Sequence, residues 1–130
     1  MAKGNGLGVT IDLDDEGGTP VDISNDVTSW SADTPIAQQD VTGQNKSAHE
    51  RIQLLQDFSA TLNGVWNPDL SHTALADLTG VRTLDITTVT SEVLSAEALL
   101  TAYALSRGAG GELTWSTTAN NADGELPTWA

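Results

Sequence analysis

The stretch "SAEALLTAYALSR", residues 95–107, decides the fold class, because it supports two incompatible readings. Ala96, Leu99, Leu100 and Tyr103 recur at helical spacing, and Ala, Leu and Glu are good helix formers. The same letters also alternate with period two. Leu99, Thr101, Tyr103 and Leu105 then oppose Ala98, Leu100, Ala102 and Ala104. Local propensity leans to helix. The rest of the chain leans to strand: threonine is abundant, and Gly, Asn and Asp punctuate it about every ten residues, the rhythm of an all-β domain.

Outward from that stretch, "GLGVTIDLD" (6–14) sets Leu7, Val9, Ile11 and Leu13 on one face, with Thr10, Asp12 and Asp14 opposite. This is a half-buried strand. "VDISNDVTSWSA" (21–32) reads as a strand that needs a bulge or bend near Ser24, Asn25 and Asp26 to align Val27 and Trp30. In 58–66, Ala60, Leu62, Gly64 and Trp66 share a face, which predicts a strand with Trp66 buried and a close backbone approach or a twist at Gly64. "NPDLSHTALADLTG" (67–80) predicts the one helix, capped by Ser71, with Leu70 as a staple, Leu75 and Leu78 inward and Gly80 at its end. "VRTLDITTVTSE" (81–92) returns to β, and "RGAGGELTWSTTA" (107–119) reads as a glycine-rich turn into a strand. The polar segment 34–48, "TPIAQQDVTGQNKSA", lacks periodicity and predicts a long loop, of the kind that is usually functional or interfacial.

Composition narrows the function. The chain has 130 residues, most simply one domain, and no cysteine, which removes disulfide frameworks, thiolate metal sites and redox motifs. No apolar run reaches the ~20 residues that span a bilayer, and "MAKGNGLG" lacks a signal-peptide core, so a soluble protein is expected, with no membrane contact. Five Lys and Arg against 18 Asp and Glu give a net charge of −13. So few cations argue against sequence-reading contact with nucleic acid.

Chemistry-bearing motifs are scarce. His49 and His72 sit in no nucleophile or metal signature, and carboxylate pairs are what any acidic chain offers. In "DLDDEGG" (12–18), Asp12, Asp14, Glu16 and Gly17 match the first half of a calcium loop, but Ile23 stands where the closing carboxylate belongs. The competing reading is a hairpin turn whose glycines supply positive φ. Trp30, Trp66, Trp115 and Trp129 are either a sugar-stacking platform or core and interface anchors. No catalytic residue, cofactor or metal ligand is expected.

Three ordered segments carry a resemblance: "DISNDVTSWS" (22–31), "QDVTGQNKSAHERIQLLQDFSATLNGVWN" (39–67) and "GGELTWSTTANNADGELPTW" (110–129). Together they resemble the major tail protein, or tail tube subunit, of long-tailed bacteriophages, over about residues 9–129. The resemblance implies an all-β sandwich or barrel with one short flanking helix at 71–79, and it makes 95–107 a strand against local propensity. It implies a non-enzymatic virion protein, assembled in the bacterial host cytoplasm, that forms rings, usually hexamers. The rings stack into a hollow tube around the tape measure protein and, later, double-stranded DNA. The loop containing Thr34, Pro35, Ile36, Asp40, Val41, Thr42, Gly43 and Lys46 would reach an adjacent subunit or ring, and Trp129 would dock on a neighbouring surface. An acidic lumen without basic patches would let DNA slide during ejection. Two alternatives stay open: a carbohydrate-binding or adhesive β-sandwich module, and another phage structural protein such as a decoration or tail terminator protein.

Overall fold

The computed structural model describes residues 7–122, 124 and 127–129. Ten strands and one helix follow in the order β1 (Thr10–Asp14), β2 (Pro20–Asp22), β3 (Val27–Asp33), β4 (Ile36–Asp40), β5 (Arg51–Gln56), β6 (Ser59–Val65), α1 (Ser71–Leu75), β7 (Arg82–Thr87), β8 (Val93–Arg107), β9 (Leu113–Asn121) and β10 (Thr128–Trp129). The fold is all-β and antiparallel with one short helix. The main sheet runs β2-β1-β7-β8-β9-β6-β3, with β10 added to β8, while β4 and β5 pair only with each other.

The ambiguous stretch is a strand. β8 is 15 residues long and serves both halves of the sheet, pairing with β7 through its first half and with β9 through its second. Leu94, Ala96, Ala98 and Leu100 are buried in alternation. The register then slips: Leu100 faces Ala119 but Tyr103 faces Thr117, so β8 carries one residue more than β9. This bulge returns Tyr103 to the core side. The spacing from Leu100 to Tyr103 that imitates a helix is the bulge itself. Leu99, which a helix would have buried, is exposed.

One contiguous core fills the space between the halves. Ile11, Leu13, Leu84 and Ile86 come from β1 and β7, and Ala60, Leu62, Trp115 and Ala119 from β6 and β9. The Trp115 indole N–H donates to the Val65 carbonyl at 2.7 Å, so its burial leaves no unpaired donor. Gly64 is required beside it. A Cβ there would lie 2.3 Å from the Asp26 carbonyl oxygen and 2.6 Å from the Trp115 ring, the close approach its position in the strand pattern implied. The turn of "DLDDEGG" is the β1–β2 hairpin. Asp15 Oδ1 accepts from the amides of Gly17 and Thr19, both at 2.9 Å, and Gly18 takes φ +83°.

Other expectations need correction. Residues 21–32 are two strands, and the break between them falls where a bulge or bend was expected, near Ser24, Asn25 and Asp26. Ile23–Asp26 turns the chain, so that β2 pairs with β1 and β3 with β6. The helix stops at Leu75 rather than Thr79, and Ser71 does not cap it. The Ser71 amide instead donates to Asp26 Oδ2 at 3.1 Å, while its hydroxyl is buried without a partner. Asp26, itself 2% exposed, also takes the Asn67 side-chain amide at 3.1 Å. At the other end, Arg82 is buried and donates to the carbonyls of Ala74, Thr79, Asp14 and Asp77. A guanidinium thus occupies the place where the last helical carbonyls would otherwise lie unpaired. Trp66 is partly exposed at the end of its strand, beside His72 at a ring separation of 5.7 Å.

Candidate functional site

The segment expected as a loop contains a strand, while 34–35 and 41–48 lie outside it. Ile36–Asp40 forms β4 and pairs with β5 from Ile36–Gln56 to Asp40–Arg51. Asp33 faces Ser59 and Ile36 faces Gln56, so the β3–β6 pairing continues in register into β4–β5 across the break at Thr34 and Pro35. Backbone and side chain hold that break: the Asp57 amide donates to the Pro35 carbonyl at 2.9 Å, and Gln56 Nε2 to the Thr34 carbonyl at 3.2 Å. Residues 27–65 therefore make one long bent hairpin, whose outer half is an arm.

Among the described residues the arm is little covered, with Gly124 lining a hollow beside Ile36, Leu54 and Leu55. Every residue of β4 and all but the last of β5 are exposed, among them Ile36, Ile52, Leu54 and Leu55, the last at 89%. A two-stranded ribbon with apolar side chains in water is marginal alone. Its tip is tied by polar contacts. Asp40 accepts from the Thr42 hydroxyl and amide and stands 3.0 Å from His49 Nδ1, and the Glu50 amide donates to Thr42 Oγ1 at 2.7 Å. The bonds from Thr42, with His49, hold the Asp40 carboxyl below the ordinary aspartate range. Val41, Gly43 and Lys46 lie in the same tip, where the Lys46 amide donates to the Gly43 carbonyl at 3.2 Å.

The structure thus gathers the eight loop residues singled out from the sequence onto one arm and its root. Trp129 is elsewhere: β10 pairs it with Leu94 on β8, and its side chain is 63% exposed. Among the described residues, no group of three or more His, Cys, Asp and Glu side chains could hold a metal ion. No described helix is long and apolar enough to cross a membrane.

A second surface escaped sequence reading. The half-sheet β8-β9-β6-β3 has an open edge on each side. Among the described residues, β3 pairs only with β6, and residues 101–107 of β8 pair only with β9, since β7 and β10 engage β8 no further than Ala98. Its face away from the core carries mainly short polar side chains in cross-strand rows, with exposed Val65 and Leu99 in its outer rows. One row runs Ser31, Thr61, Thr118, and the next Ser29, Asn63, Ser116, Ala104. The outward face of the other half is different. Asp12 stands directly between Asp22 and Asp85 on neighbouring strands, and Glu97 is close by, bonded to Thr83. Burial, and then the charges of Asp22 and Asp85, push the Asp12 carboxyl up. Alternation along each strand could have flagged these rows. The pairing that assembles them could not be read from one sequence.

The arrangement defines a class of β protein: a folded-over antiparallel sheet with open edges and a projecting arm. Solved structures share it. The chain is similar to one in the tail of an empty gene transfer agent particle, determined by helical refinement with C6 symmetry, at 16% identity and a TM-score of 0.75, with 98% of each chain covered. It is equally similar to a chain in the virion of a native gene transfer agent particle, at 15% identity and a TM-score of 0.76, covering 98% of this chain and 99% of the other. No family model and no curated protein matches the sequence.

Proposed function

We propose that this chain is a tail tube subunit of a phage-like particle, a structural and non-enzymatic protein that closes into rings and stacks into a hollow conduit. The observation that carries this reading is the pair of open edges on one four-stranded half-sheet. Order and direction alternate antiparallel from β8 through β9 and β6 to β3. Strand number is even, so a purely rotational copy brings its β8 beside the first copy's β3 with opposite direction. The antiparallel alternation continues across the seam. Edges that would invite aggregation in a monomer are satisfied by the ring.

The likeness over nearly the whole chain to a protein in a C6-symmetric tail supports a sixfold ring. Six half-sheets would give 24 strands and a barrel at least about 37 Å across at the backbone, at ~4.8 Å per strand. That is wide enough for a tape measure protein or a DNA duplex. The arm from Thr34 and Pro35 through Ile36 and Asp40 to Val41, Thr42, Gly43 and Lys46 buries its apolar side chains on the adjacent subunit or ring. Trp129 docks on a neighbour in the same way. Assembly takes place in the host cytoplasm and the product resides in the virion tail.

Negative-stain electron microscopy of the purified protein over a range of concentrations tests the proposal. Rings and hollow tubes are expected. A protein that stays monomeric at every concentration and ionic strength would overturn it.

A further inference from the structure

We infer that Leu105 sets the register of the seam between copies: it seats in a hollow on the opposite edge of the next copy, directly across from Trp30. The inference rests on the tube reading and deepens it. The partner it names is a second copy of this chain.

The hollow lies beside the edge strand β3 and measures about 230 Å³. Leu7, Val9, Ile11, Val27 and Trp30 give its wall apolar side chains, and Gly8, Ser24 and Thr28 complete it. Ile11 belongs to the core, and Val9 and Val27 pack against it, so here the layer between the two halves comes to the surface. Trp30 faces Leu62, which puts it on the core side of β3, and it is 40% exposed. A wall of this mixed kind suits an incoming strand, whose backbone pairs along the edge while a side chain packs. The matching projection is on the other edge. In 101–107 of β8, Tyr103, Leu105 and Arg107 face Thr117, Trp115 and Leu113, and so point to the core side. Among the described residues of that run, Leu105 is the one large apolar side chain that is exposed, at 51%.

A rotation about the ring axis keeps the core sides of adjoining half-sheets on one face. In the seam, Leu105 therefore rises on the same side as Val27, Trp30 and Ala32 of the next copy, at the mouth of its hollow. Backbone pairing alone would not choose the register. The other face offers near-equivalent rows, Ser31–Thr61–Thr118 and Ser29–Asn63–Ser116–Ala104, so a slip of two residues changes little there. On the core side it changes a great deal. One slip would bring Arg107 to the hollow, where no carboxylate lines the wall to pair with it. The other would bring Tyr103, whose ring already packs against Trp115 of its own chain at a separation of 6.3 Å. Leu105 opposite Trp30 meets neither obstacle, and an indole is a favoured anchor at the centre of an interface.

The absence of cysteine makes a direct test. A chain carrying Leu105→Cys and Trp30→Cys is assembled at high concentration and mildly oxidised. Within one copy these positions lie three strand spacings apart, about 14 Å at ~4.8 Å per strand, beyond the reach of a disulfide. Any bridge therefore joins copies. A ladder of covalent multimers is expected, with at least about fivefold less product when Arg107→Cys replaces Leu105→Cys. With Trp30 intact, Leu105→Ala should raise the concentration needed for tubes by at least about tenfold, and Leu105→Met by no more than about twofold. Tubes that form without the 105–30 bridge, or that close 107–30 in its place, would overturn the seat while leaving the tube reading intact. Tubes indifferent to Leu105→Ala would do the same. A Trp30→Cys thiol that closes with Lys3→Cys of its own chain, and not with position 105, would give the hollow to the leading segment and overturn the proposal. A parent chain that forms no tube removes the tube reading and this inference with it.

Discussion

Arg82 Nη1 donates to the Ala74 carbonyl at 2.8 Å, joining the first residue of β7 to the end of α1. With its further bonds to Asp14, Asp77 and Thr79, this one buried side chain holds the helix and the following loop against β1. Replacing Arg82 with Met keeps the volume but leaves these carbonyls unpaired. The expected cost is ~3 kcal/mol, read as a fall in Tm of about 10 °C by calorimetry. Arg82→Lys should recover only part of it, since an ammonium cannot reach carbonyls fanned around a planar fork.

Gly64→Ala should be as damaging as a far larger change elsewhere. The added methyl meets the Asp26 backbone and the Trp115 ring, neither of which is a flexible chain end. A loss of ~3 kcal/mol is expected, with a changed near-ultraviolet signal from Trp115. Unaltered stability would show that the β6–β9 packing is looser than described.

The acidic face is under strain at neutral pH. The folded pKa of Asp12 lies above the ordinary 3.8, so ionisation costs the folded state. That penalty is present above the folded pKa, shrinks as pH falls through it, and is gone below 3.8. Asp12→Asn should therefore raise stability at pH 7 by ~0.5 kcal/mol after solvent screening, and by nothing at pH 3. Thermal melts of both proteins across that range measure the difference.

The arm tip has the opposite sign. Asp40 is held low by the bonds from Thr42 and by His49, so its contribution is present above the ordinary 3.8 and is lost as pH falls through the folded value. Amide exchange at Thr42 and Glu50 should accelerate in that acid window while the core stays protected. Asp40→Asn should show fast exchange at neutral pH too.

Leu55→Glu should separate folding from assembly. The side chain touches almost nothing in the monomer, so Tm should change by no more than ~0.5 kcal/mol equivalent. Tube formation should fail, because a charge would replace an apolar contact with the neighbour. Tubes that elongate normally would exclude the arm from the interface.

What the letters revealed tracks where water was excluded. β1, β6 and β9 each lie with one face on the core, and their alternation or branched composition was readable. The arm has no dry face, so β4 and β5 carry no period-two signal and 34–48 looked like loop. Asp26 and Arg82 were missed because a buried charge is licensed by partners contributed from distant segments: Asn67 and Ser71 for one, Ala74 and Asp14 for the other. β8 misled because its alternation changes phase midway, and two short runs out of step look helical.

That change of phase bears on how such a chain can vary over time. Any letter in β8 that keeps its side-chain character can be exchanged, but losing one residue between Ala96 and Leu100 would turn Leu94 and Ala96 off the core while Leu100 stays on it. Spacing is thus far less negotiable than identity. One fold of nearly constant length can thus be spelled in very different letters, as in two chains that agree at about one position in six yet align from end to end.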